Sequence, residues 1–162
     1  MNGAAAAGAT GVWRWLEHPW LTTRVQIALG VIFMAAALPK IVDPPSFVHM
    51  IHNYELLPPL LVRVSALVMP WLELLVGLAL ALGIWRRTAT LVTVGLLVLF
   101  IGAISVNLAR GNAIDCGCFD VSAANLTKEE RLADMRFVIY RDVAMLAMAG
   151  QILRALRKDE TA

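Results

Sequence analysis

Apolar residues run through this chain in long blocks, and polar ones gather in the short stretches between them. Four blocks reach the roughly 20 mostly apolar residues that a helix needs to cross a bilayer. They are Leu21–Val42, Leu60–Trp85, Thr88–Leu108 and Phe137–Leu156. The pattern predicts an all-α integral membrane four-helix bundle with both chain ends on one side. Between the first two blocks, Asp43-Pro44-Pro45 reads as a helix start, with Asp as N-cap and proline tolerated in the first turn. Phe47, Met50, Ile51 and Tyr54 then recur at helical spacing, which predicts a short amphipathic surface helix near residues 44–54. Pro58-Pro59 closes that connection. Before the last block, Thr127-Lys128-Glu129-Glu130 fits a capping box, so the fourth helix is expected to begin outside the membrane.

The flanking segments complete the organisation. Residues 1–11 are almost all Ala and Gly and are expected to be disordered. They lack the basic n-region and clear cleavage pattern of a removable signal peptide. Residues 12–158 read as a single transmembrane domain and 159–162 as a solvated tail. Trp13, Trp15 and Trp20 suit the headgroup level, and His18 reads as an interfacial polar residue. Pro39 is expected to kink or stop the first helix, and Lys40 to snorkel outward.

Composition narrows the class. Of 162 residues, 59% are hydrophobic and 16% charged, against about 25% charged and 45–50% apolar in a soluble domain. The net charge of +2, with Lys and Arg dispersed, gives no face for nucleic acid. The expected partner is the lipid bilayer. Arg86-Arg87, packed into the short turn between the second and third helices, sets the orientation, since short loops carry most of the positive-inside signal. Both termini are therefore expected in the cytoplasm of a multi-pass bacterial inner (plasma) membrane protein.

Against this apolar background the polar residues stand out. Glu73 lies well inside the second block, and an intramembrane ionisable residue is a functional hypothesis by default. Arg141 is its natural partner by charge, forming a buried pair that could also serve as a proton path. Lys40, Asn107 and Asp142 are expected at the same outer level as supporting residues. Such a level is either a bundle-interior site or interhelical glue, and the sequence leaves both open.

The two cysteines, Cys116 and Cys118, flank Gly117 just beyond the third block, on the side expected to face outward, where disulfides persist. Three chemistries fit. The pair can cycle as a strained, labile disulfide. It can complete an N₂S₂ metal set with His49 and His52, a weaker alternative. Or it can pack as a static clamp.

Taken together, Leu38-Pro39-Lys40, Asp43-Pro44, Phe47, Tyr54, Leu57-Pro58, Pro70-Trp71-Leu72-Glu73, Gly77, Asp115-Cys116-Gly117-Cys118-Phe119 and Arg141-Asp142 resemble the methylamine-utilisation MauE family. These are relatives of the DoxX-like four-helix membrane proteins, and the resemblance runs from about Val25 to Gln151. Asp120 departs from it, standing where glycine is expected after Cys-Gly-Cys-Phe. The resemblance implies an inner-membrane accessory protein for maturation of, or disulfide formation in, a periplasmic redox enzyme. The client would be a cysteine-bearing periplasmic protein, such as the disulfide-rich small subunit of methylamine dehydrogenase, or a partner redox subunit. The wider DoxX-like group implies a quinone as electron acceptor, though no cofactor is certain. It also implies an alternative, a non-catalytic subunit or chaperone of a quinol or thiosulfate oxidoreductase complex with structural cysteines.

Overall fold

The structure, a computed structural model, describes residues 18–112 and 127–161. The N-terminal segment 1–17, Cys116 and Cys118 with their neighbours, and the last residue lie outside the described residues. The described elements are five α-helices: α1 Pro19–Val42, α2 Pro44–Asn53, α3 Pro59–Leu82, α4 Arg86–Ala109 and α5 Lys128–Thr161.

Local chemistry sets the boundaries. His18 caps α1, its Nδ1 accepting from the Trp20 amide at 3.4 Å. Pro39 neither stops α1 nor removes its last turn; the helix runs to Val42, and the Asp43 amide donates to the Pro39 carbonyl at 3.1 Å. Asp43 then caps α2 as expected, accepting from the Ser46 amide at 3.3 Å. The hydrogen bonds from the Ser46 side chain and amide hold the Asp43 carboxyl below its ordinary value of 3.8. At the end of α3, Gly83 takes a left-handed φ of 71°. Its amide reaches the Leu80 carbonyl and that of Ile84 the Ala79 carbonyl, the Schellman pair that ends a helix sharply enough for α4 to turn back. The capping box opens α5: Thr127 N and Oγ1 donate to Glu130 Oε2 at 2.8 and 2.7 Å, and the Glu130 amide returns a bond at 3.4 Å.

The four long helices pack on one another, α1 against α3 and α5, and α4 against α3 and α5. One core joins Leu29 and Phe33 of α1, Val76 and Leu80 of α3, Leu96 and Leu97 of α4, and Met145, Ala149 and Ile152 of α5. α1 and α3 approach each other closely. A Cβ on Gly30 would lie 2.6 Å from the Gly77 carbonyl oxygen, and one on Gly77 2.7 Å from that of Gly30. Small residues facing each other let helix backbones meet where lipid gives no hydrophobic drive. The short α2 lies on α3, burying Phe47 and Met50 with Ala66.

Three helices, α1, α3 and α4, are long and apolar enough to cross a membrane. Each has 24 residues, about 36 Å at 1.5 Å per residue. The sequence expectation was four. Among the described residues α5 falls outside that set, because its apolar stretch is interrupted by Arg141, Asp142 and Arg154.

Candidate functional site

The polar side chains expected at one level divide into separate groups. Lys40 does not snorkel outward. It is 4% exposed and its Nζ donates to both Glu73 oxygens at 2.8 Å. Helix polarity explains the direction. Every Cα–Cβ bond tilts toward the helix N-terminus, so Lys40, near the C-terminal end of α1, leans back into the bundle. Glu73 sits just past the middle of α3 rather than in its outer half. Because α3 runs antiparallel, Glu73 leans up to meet Lys40. Phe47 of α2 and Phe100 of α4 flank the ammonium, each ring centroid 5.3 Å away.

The expected Glu73–Arg141 pair is therefore replaced by two pairs. Lys40 takes Glu73, while Arg141 donates from Nε and Nη2 to Oδ1 of its neighbour Asp142, at 3.1 and 2.8 Å. All four groups still form one neighbourhood. Lys40, Glu73 and Arg141 line a common cavity of about 20 Å³, closed by Phe33, Phe100 and Met145. With two cations and two carboxylates the set is neutral, the arrangement in which charges are tolerated away from water. It is not fully satisfied. Asp142 is 1% exposed, and its Oδ2 has no hydrogen-bond partner among the described residues. The cavity has room for about one water between the charged groups.

Asn107 belongs elsewhere. Its Nδ2 donates to the Tyr54 and Ala103 carbonyls, both at 3.2 Å, tying α4 to the end of the α2 segment, while its buried Oδ1 has no partner among the described residues. The contribution of α4 to the charged group is Phe100. His49 and His52 are exposed on α2, and no group of three or more potential metal ligands occurs among the described residues. Both cysteines lie outside the described residues. The segment that carries them joins α4 to α5 at the end of the helix pair where Tyr54, Leu108 and Leu132 pack around Ile104, Met135 and Val138.

A second polar level, near the opposite ends of α1 and α3, was not singled out from sequence. Gln26, 2% exposed, donates to the Leu80 carbonyl at 2.6 Å and accepts from Arg86 Nε at 2.6 Å. Its signal was available, since a glutamine inside an apolar block needs partners in lipid.

Comparison with known proteins gives a consistent result. The family model for the methylamine utilisation protein MauE matches residues 18–155. The methylamine utilization protein MauE of Methylorubrum extorquens is 43% identical over 105 residues, 64% of this chain and 56% of that protein. That of Methylophilus methylotrophus is 39% identical over 104 residues, 64% of this chain and 55% of its own length. That of Paracoccus denitrificans is 36% identical over 105 residues, again 64% and 56%. The chain thus spans little more than half the length of these curated relatives. No solved structure matches it.

Proposed function

The chain belongs to the family of the methylamine utilisation protein MauE, and from that premise we propose an inner-membrane accessory protein that assists disulfide formation in a periplasmic redox enzyme. The observation that carries this reading is the family match over residues 18–155, which spans both the buried charged groups and the Cys-Gly-Cys pair. In it, α5 is a fourth span. Its charges Arg141 and Asp142 turn toward Lys40 and Glu73 rather than toward lipid, and Met145, Ala149 and Ile152 enter the common core. Both termini lie in the cytoplasm and the segment between α4 and α5 faces the periplasm.

The redox step is a thiol–disulfide exchange. A client thiolate attacks the Cys116–Cys118 disulfide to form a mixed disulfide, and a second client thiolate displaces it. The client leaves with one disulfide, and Cys116 and Cys118 are left as thiols. Two electrons and two protons must then pass to an acceptor, for which a membrane quinone is the class the family resemblance implies. Glu73 and Asp142 supply carboxylates for that proton traffic, with Lys40 holding Glu73 and Arg141 holding Asp142 in place. In the methylamine setting the client is a cysteine-bearing subunit of the dehydrogenase.

Alkylation mass tagging in membranes tests the step. Cys116 and Cys118 are expected to shift between oxidised and reduced forms with the client present. Thiols that stay reduced under all oxidising conditions, or a C116S/C118S protein that still matures its client, would remove the exchange reading. The competing reading is a non-catalytic membrane subunit or chaperone. It draws on the Lys40–Glu73 pair, which has a sufficient role as a tie between α1 and α3. That reading expects a stoichiometric partner that co-purifies even after both thiols are removed.

A further inference from the structure

A second and much larger cavity lies beside the charged groups. It occupies the space between α3 and α4 at the ends away from their connecting turn, beneath α2, and measures about 450 Å³. Phe47 and Met50 of α2 roof it, Ser65 and Met69 line it from α3, and Gly102 and Ala103 from α4. Its size is in the range of small-molecule sites, about 300–1,000 Å³. Its walls are almost entirely apolar, and its one charged lining group, Lys40, is turned to Glu73.

The way in identifies the occupant. Val98, Leu99 and Val106 line the cavity and are also 55%, 53% and 40% exposed, on a helix long and apolar enough to cross a membrane. The opening therefore faces hydrocarbon, and what enters must come from the bilayer. Four residues beyond Val106, on the same side of the helix, stands Arg110 at the end of α4. It is exposed and has no ion-pair partner among the described residues. An apolar slot below an exposed guanidinium matches an acyl chain below a phosphate, because arginine suits the geometry of phosphate oxygens.

We propose that this lateral groove is a binding site for one membrane phospholipid, with an acyl chain between α3 and α4 under α2 and its phosphate at Arg110. Phe100 and Lys40 line both this groove and the small charged cavity. A seated chain thus seals the Lys40–Glu73 pair on its lipid side. The inference rests on membrane insertion and not on thiol exchange, so its test leaves the cysteines untouched.

Gly102 provides the probe. A Cβ there would meet nothing within 4 Å, so a larger side chain enters the groove without displacing backbone. Gly95 on the same helix is equally open and does not line the groove, which makes it the matched control. The full chain is reconstituted in nanodiscs containing a phospholipid with a photoactivatable acyl chain, and adducts are mapped by mass spectrometry. Adducts are expected to concentrate on Met69, Met50 and Ala103, to be largely lost in G102L and to persist in G95L. In R110Q, preference for an anionic over a zwitterionic probe lipid is expected to fall. Equal adducts in G102L and G95L, or adducts spread evenly over outward residues such as Leu75 and Leu91, would overturn the proposal. So would displacement of the probe by an isoprenoid added at equal concentration, or a groove closed by a second copy of the chain.

Discussion

The bundle holds two buried polar levels, and they are built on opposite principles. At the turn between α3 and α4, Gln26 gives and takes one short hydrogen bond, to the Leu80 carbonyl and from Arg86. It is uncharged and neither side-chain atom is left over. At the other level four charged groups are gathered, balanced in number but not in bonding, since Asp142 Oδ2 has no partner among the described residues. An unsatisfied buried polar atom costs about 1–3 kcal/mol, and Asn107 Oδ1 is a second such atom, away from both levels. The first level fastens helices. The second gathers ionisable groups beside a small cavity.

Breaking the charged level should produce the largest effect. Glu73→Leu leaves the Lys40 ammonium buried and unpaired, and is expected to cost about 3–5 kcal/mol, read as a lowered unfolding midpoint in detergent. The double variant K40M/E73L should recover most of that stability. If its client maturation is nevertheless lost, the level is functional; if maturation returns with stability, the level is only a tie.

Next in size are the glycines at the α1–α3 crossing. Gly77→Ala places a Cβ 2.7 Å from the Gly30 carbonyl oxygen, and overpacking of this kind costs about 1–3 kcal/mol. The same unfolding assay reports it. Gln26→Leu removes a partner from both the Leu80 carbonyl and Arg86, for a loss of about 1–3 kcal/mol. Maturation measured per folded molecule should not change, which is the sharpest contrast with the charged level.

The smallest effect concerns acid. Hydrogen bonds from the Thr127 amide and then its hydroxyl hold Glu130 below its ordinary value of 4.5, as those from Ser46 hold Asp43 below 3.8. With folded values depressed, the stability each cap contributes is complete above those ordinary values and is lost as pH falls through the folded ones. Asp43→Asn and Glu130→Gln should each flatten a shallow decline in unfolding midpoint below about pH 4.5 and leave neutral pH nearly unaffected. An unchanged acid slope would remove the caps as its source.

What could be read from sequence was what local physics controls. Asp43 and the Thr127–Glu130 box announced their helix starts because capping depends on neighbours three residues away. Three of the four expected spans followed from apolar length alone. The partners of the buried charges could not be read so directly. Lys40 near a helix end suggested an outward reach, but the tilt of its Cα–Cβ bond and the antiparallel partner turned it inward, leaving Arg141 to Asp142. Asn107 shared a rough depth with these groups but faces Tyr54, a relation only the packing of α2 creates. The groove was illegible for the same reason, being a space between elements and not a property of any one of them.

The Gly30–Gly77 contact lies between the two polar levels, and it makes α1 and α3 behave as a single strut. Backbone touches backbone at the crossing, Gln26 pins one end and Lys40–Glu73 the other, over about 21 Å of α1. Sliding one helix along the other would break both polar fastenings at once. Relative displacement of helices is therefore most costly along this α1–α3 seam, where one slip would undo a backbone contact and two buried polar fastenings together.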